Sequence, residues 1–171
     1  MSTMTLAAPT AAVPTADELT AARPKPTLKL TYRPLTEADT VAMARLHAAA
    51  YQDAGSSASS QLKLFWAGAY GDLIPEATLG AWAEDQLVGA VIVLNQAPDE
   101  WCSEGGACDQ PFIADLFVDP EYRRQGIGSG LIMNASSAVN ALGRESLTLS
   151  LDISEAPEAM QLYDALGFST R

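Results

Sequence analysis

The run Arg123-Arg124-Gln125-Gly126-Ile127-Gly128-Ser129 has the chemistry to hold a phosphate. A strand-like stretch leads into it, and an amphipathic helical pattern follows from Ile127. The first amides of a helix have no partner inside it and carry partial positive charge, so they bind anions. Glycine at 126 and 128 keeps side chains out of the space between backbone and anion. Arg123 and Arg124 add positive charge to an acidic chain. The same residues also describe a glycine-rich strand-to-helix turn with solvated arginines, and the glycine spacing alone leaves both readings open. The Gly-Lys-Ser/Thr ending of nucleoside-triphosphate loops is absent, as is the third glycine of dinucleotide loops.

The elements that position this run follow from periodicity. Leu28–Arg33 alternates like a strand and stops at Pro34; Thr36-Glu37-Ala38-Asp39 then has the form of a helix cap. Ala42, Met43, Leu46, Ala49 and Ala50 keep a helical period, and Gly55–Ser60 breaks it. A second, weaker helix is expected over Gln61–Tyr70. Thr78–Ala83 and Leu87–Leu94 read as a hairpin, the second strand apolar on both faces. Residues 95–111 form a long polar loop, and Ile113–Val118 is another strand. A helix from Ile127 to Leu142, a strand over Ser146–Leu151 and a helix opened by Pro157 complete the order β-α-α-β-β-β-α-β-α, a mixed α/β domain.

Composition narrows the field further. The chain has 171 residues, 48% hydrophobic, with a net charge of −11. That suits one domain with a substantial core, and no apolar run is long enough to span a membrane. The acidic balance argues against a nucleic-acid footprint. Residues 1–27 are rich in proline and lack glycine, aromatic residues and a hydrophobic period, so they read as a disordered tail, with the domain over 28–171. Two cysteines, Cys102 and Cys108, cannot form a disulfide framework; they could oxidise together, but unremarkable loop thiols in a reducing, cytoplasmic setting are the expectation. His47 reads as a partly buried helix residue, and no metal set is expected. Trp66, Tyr70, Trp82 and Trp101 read chiefly as core or loop anchors.

With Leu116-Phe117-Val118-Asp119-Pro120-Glu121-Tyr122 before it, the glycine run fits Arg/Gln-x-x-Gly-x-Gly/Ala. It closely resembles the acyl-CoA loop of the GNAT superfamily of N-acetyltransferases. Leu162-Tyr163-Asp164-Ala165-Leu166-Gly167-Phe168 resembles that superfamily's closing Leu-Tyr-x-x-x-Gly-Phe segment, at the usual separation. The resemblance covers residues 28–168 in element order.

The resemblance implies a GNAT-like fold: a central, mostly antiparallel sheet with one splayed strand pair, flanked by helices. It implies acetyl-CoA as cosubstrate, its pantetheine arm lying between the strand ending at Val118 and the strand Ser146–Leu151. Phe117 and Val118 would offer backbone partners to pantetheine and the acyl carbonyl. Arg123, Arg124, Gln125, Gly126, Ile127, Gly128 and Ser129 would surround the pyrophosphate with amides. Tyr163 stands where the family often places the acid for the departing thiolate, and equally where a tyrosine packs over the cofactor sulfur. Asp115 is the candidate base, against the slightly favoured reading of a structural carboxylate; Glu100, Glu104 and Asp109 are alternatives acting through water. The implied activity is acetyl transfer to a primary amine by direct attack, with a polyamine, amino sugar or lysine side chain as acceptor.

Three departures from the family pattern bear on this. Ala114 stands where many relatives have a glutamate, and Ala156 where they often have an asparagine, with Ser154 a substitute cap. Relatives also continue into one or two strands beyond the Gly-Phe pair, so either strands are missing or another subunit, as in a homodimer, completes the sheet edge. These departures favour the competing class, a non-catalytic acyl-CoA-binding module or partner subunit; a nucleotide-binding regulator is the third.

Overall fold

The computed structural model describes residues 2–7, 29–52, 57–102, 108–151 and 157–170. Its strands are β1 (Ser2–Ala7), β2 (Leu30–Pro34), β3 (Leu79–Ala83), β4 (Gln86–Leu94), β5 (Phe112–Val118), β6 (Ser146–Leu151) and β7 (Phe168–Thr170). The helices are α1 (Thr40–Tyr51), α2 (Ser57–Trp66), α3 (Ile127–Ala141) and α4 (Pro157–Ala165). The strands form one sheet in the order β2-β3-β4-β5-β6-β1-β7. Every pairing is antiparallel except β5 with β6, so the expected mostly antiparallel sheet flanked by helices is present.

β4 is buried on both faces because helices cover both sides of the sheet. On one side Ile127, Leu131, Ile132, Ala135 and Val139 of α3 pack against Val88, Val91, Val93, Leu147 and Leu149. On the other, Met43, Leu46, Leu62 and Phe65 of α1 and α2 pack against Leu87, Ala90, Ile92, Leu94 and Phe117. Gly89 lets α3 sit close to the sheet: a Cβ there would fall 2.7 Å from Ile127 Cγ2 and 3.0 Å from Leu131 Cδ1. The start of α3, which carries the glycine run, is thereby pressed onto the middle of β4.

The expected cap before α1 forms around Asp39, which accepts the Thr36 amide at 2.9 Å and the Thr36 hydroxyl at 3.1 Å. Arg33 also grips Asp39, at 3.2 and 3.0 Å, and its guanidinium lies 3.9 Å above the Trp82 ring. α2 starts at Ser57 and ends at Trp66, earlier than the expected Gln61–Tyr70, because buried Ala58 joins its apolar face and Gly68 turns the chain at φ 74°.

Two expectations need correction. Ser2–Ala7 does not belong to a disordered tail: it pairs antiparallel with β6 along its whole length and with β7 at three positions. Thr3, Met4, Thr5 and Leu6 do alternate, a pattern masked by the proline-rich composition that follows. β1 continues the sheet beyond β6, with β7 the last strand on that side. The cysteines are not separate thiols: Cys102 and Cys108 are joined in a disulfide, their Cα atoms 5.8 Å apart, within the ordinary bridging range. No helix among the described residues is long and apolar enough to cross a membrane.

Candidate active site

β5 and β6 meet only at Phe112–Thr148 and Ile113–Leu149. Beyond that, β5 continues along β4 to Val118 while β6 continues along β1 to Leu151, so the two strands part. This is the expected splay. Among the described residues, no strand lies on the β6 side of the β5 backbone from Ala114 to Val118.

The glycine run follows directly. Pro120–Tyr122 forms a single 3-10 turn, capped by Asp119, whose carboxylate accepts the Glu121 amide at 2.9 Å. Arg124 (φ 62°) and Gly126 (φ 77°) then adopt left-handed conformations, the first unusual for a residue with a side chain. A Cβ on Gly126 would touch nothing within 4 Å, so glycine is there for its backbone and not for crowding. The first bond of α3 runs from the Gly130 amide to the Gly126 carbonyl at 2.9 Å. The amides of Arg124 to Ser129 therefore have no partner among the described residues, an arrangement at a helix N-terminus with the chemistry to hold an anion.

Arg123, expected beside these amides, has partners of its own. Its amide closes the preceding turn on Pro120 O at 3.4 Å. Its guanidinium donates to Val118 O at 3.2 Å and Ala50 O at 2.7 Å, fastening the turn to the ends of β5 and α1. Phe117 sends its ring into the α1 side of the core, leaving only its backbone to face the splay. An open cleft of about 1060 Å³ touches the turn through Tyr122 and Gln125, but Asp115, Tyr51 and Tyr163 do not line it.

α4 closes the site. Leu162 reaches the start of α3, where a Cβ on Gly128 would lie 3.6 Å from Leu162 Cδ2 and 4.0 Å from Val118 Cγ2. Next to it, Tyr163 is buried against Phe168, ring centroids 5.3 Å apart. Burial first, and then the Asp115 charge, push its phenol up to about 12, so it holds its proton at neutral pH. The two motif halves thus meet at the splay.

Asp115 sits beside a break in strand alternation. The β4–β5 register slips between Ile92 and Val93, leaving Ala114 as an extra residue. Ala114 packs on the α1 side and Leu116 on the α3 side, and the bulge lets Asp115 follow Ala114 toward α1. There its carboxylate accepts the Tyr51 hydroxyl at 2.7 Å on Oδ1 and faces His47 Nε2 at 3.4 Å on Oδ2. The rings of His47, Tyr51 and Phe117 pack together, centroids 4.5 to 6.4 Å apart. Burial, followed by the Asp115 charge, raises the Tyr51 phenol well above its ordinary range.

His47 and Tyr51 are what sequence reasoning missed. Their spacing places both on one face of α1, the available signal, but nothing local tied that face to Asp115. Glu100 and Asp109 are exposed on the loop and make no hydrogen bond to this cluster; Glu104, Ser154 and Ala156 lie outside the described residues. Trp101 stacks on Tyr70 at 5.4 Å and meets Phe112 at 6.1 Å, the loop anchor expected of it.

The fold is that of the acetyltransferase class: a mixed sheet parting beside the amide concavity at the start of α3. The family model described as "Acetyltransferase (GNAT) domain" matches residues 75–170, more than half of the chain, and the chain belongs to that family. It is similar to the [Ribosomal protein bS18]-alanine N-acetyltransferase of Escherichia coli (strain K12), 34% identical over 61 residues, 36% of this chain and 40% of that one. It is also similar to the thialysine N-epsilon-acetyltransferase of Bos taurus, 39% identical over 56 residues, 33% of this chain and 32% of that one. The matched segment thus spans well under half the length of these relatives. Among solved structures it resembles AAC(6')-Iy in complex with a bisubstrate analog, CoA-S-monomethyl-acetylneamine. There the TM-score is 0.63 at 15% identity, over 82% of this chain and 91% of that chain, a likeness of fold.

Proposed function

We propose that this protein transfers an acetyl group from acetyl-CoA to a primary amine by direct attack. The observation that carries the reading is the parting of β5 from β6 beside the unpartnered amides of Arg124 to Ser129. A pyrophosphate fits those amides, and an extended pantetheine arm fits the opening, pairing with the backbone of Phe117 and Val118. The CoA-based analog held by AAC(6')-Iy and the amine acetylation named for the relatives support the same reading.

Asp115 takes one proton from the incoming ammonium and later passes it to water. The neutral nitrogen forms a bond to the thioester carbonyl carbon, and the oxyanion meets an unpaired amide at the parted edge of β5. The carbon–sulfur bond then breaks and Tyr163 gives its proton to the thiolate. The second proton leaving the nitrogen restores the phenol. A thiol titrates near about 8.5, so the thiolate needs only modest help. The acceptor is a cationic primary amine on a small molecule or peptide, suited to an acidic protein and to the carboxylate among the α1 rings.

One observation favours a non-catalytic acyl-CoA-binding module instead: both Asp115 oxygens already face protein donors. A thermal-shift series with acetyl-CoA, CoA, ATP and NAD, followed by free-thiol release with an amine panel, separates the readings. Stabilisation by acetyl-CoA with thiol release supports transfer; stabilisation without release leaves the module. Stabilisation by ATP or NAD alone refutes both.

A further inference from the structure

We infer that His47 and Tyr51 are positioning residues that hold Asp115 by its two oxygens, so that α1 sets the orientation of the base on β5. The inference rests on the acetyl-transfer reading above and extends it to the two residues of α1 that contact the base itself.

The geometry is specific. Tyr51 Oη lies 2.7 Å from Oδ1, a short hydrogen bond to a carboxylate, and His47 Nε2 lies 3.4 Å from Oδ2. An ionised carboxylate only accepts, so the contact at Oδ2 holds the carboxylate when the ring carries a proton on Nε2. Nδ1 is buried without a partner, so nothing else in the described structure competes for the ring's orientation. The Phe117 ring, 5.1 Å away and nearly perpendicular, braces the imidazole.

Three elements converge on Asp115. α1 supplies His47 and Tyr51, α4 brings the Tyr163 phenol within electrostatic reach, and the turn before α3 supplies Arg123, whose charge acts on Tyr51. Of these, only the two α1 groups contact the carboxylate. The bulge at Ala114 turns Asp115 toward α1, and these contacts then fix the lone pairs left for the acceptor's proton. Losing them lets the carboxylate rotate, and a misplacement of about 1 Å in a reacting group costs on the order of 10²-fold in rate.

The chain has a single histidine, so its ring nitrogens can be read by 15N NMR without ambiguity. The expected spectrum shows the Nε2-protonated tautomer in the native protein and a mixture of tautomers in Asp115→Ala. A native ring protonated on Nδ1, or an Asp115→Ala spectrum identical to the native one, overturns the inference. Activity gives the second arm. His47→Leu should lower kcat by about 10²-fold with the KM for acetyl-CoA unchanged, and His47→Gln, whose amide can still donate to Oδ2, should restore most of it. In an Asp115→Ala background His47→Leu should cost nothing further, whereas a merely structural histidine would cost the same in both backgrounds and overturn the proposal. The expected tautomer in a protein that turns over no amine would sink the acetyl-transfer reading and leave the hold on Asp115 standing.

Discussion

The Arg123 guanidinium donates to the Ala50 carbonyl at 2.7 Å, joining the turn before α3 to the last turn of α1. The coenzyme side and the acceptor side of the proposed site therefore share one side chain. Arg123→Met keeps the aliphatic stem and removes both carbonyl contacts. It should cost about 1 kcal/mol in urea unfolding and weaken stabilisation by acetyl-CoA, because the amide concavity loses its brace. An unchanged unfolding midpoint with an undiminished ligand shift would refute this role.

Gly128→Glu separates binding from folding. A Cβ at this position makes only ordinary contacts, so the variant should fold, but its carboxylate lies beside the amides proposed to hold the diphosphate. Stabilisation by acetyl-CoA should disappear. Full retention of the ligand-induced rise in melting temperature would contradict the assigned concavity.

Tyr163 gives a pH prediction with a definite sign. Its phenol titrates at about 12 in the folded protein, against the ordinary 10.0. A raised value favours the protonated folded state, so this stability is fully present below pH 10 and is lost as pH climbs through 12. Tyr163→Phe should flatten that loss, measured as denaturant midpoints across this window, and should lower kcat near neutrality without changing acetyl-CoA stabilisation. A variant as fast as the native protein would remove Tyr163 as the acid.

The Cys102–Cys108 disulfide closes a short loop, with a sequence separation of 6. A loop this size constrains the unfolded chain by about 2 kcal/mol. Reduction, or Cys102→Ser with Cys108→Ser, should lower unfolding stability by that order. The Trp101–Tyr70 stacking should survive, since it is made outside the closed loop. Loss of the tryptophan's fluorescence environment on reduction would show instead that the bridge holds the aromatic anchor.

Much of the fold could be read from local pattern, and the reason is physical. Ile127, Leu131, Ala135 and Val139 announce α3, Gly126 and Gly128 mark its open start, and Val88–Leu94 announces a strand covered twice. Each signal is carried by neighbours in sequence. The Asp115 cluster was not legible, because Tyr51 and Asp115 are 64 residues apart and meet through a register slip at Ala114. A bulge depends on how two strands pair, which neither strand states alone. The hold of Arg123 on α1 is hidden for a related reason: a charge beside a phosphate-type loop invites an anion, and the Ala50 carbonyl to which it donates lies on a helix distant in sequence.

The insertion of β1 between β6 and β7 has a practical consequence. Ser2 stands opposite Leu151, at the end of β6 from which β5 has already parted. Any affinity handle fused ahead of Ser2 would emerge at the mouth of the opening proposed to take pantetheine. Kinetic measurements on such a fusion would mix intrinsic turnover with shading by the handle, and cleaving it before assay restores a clear approach for the thioester.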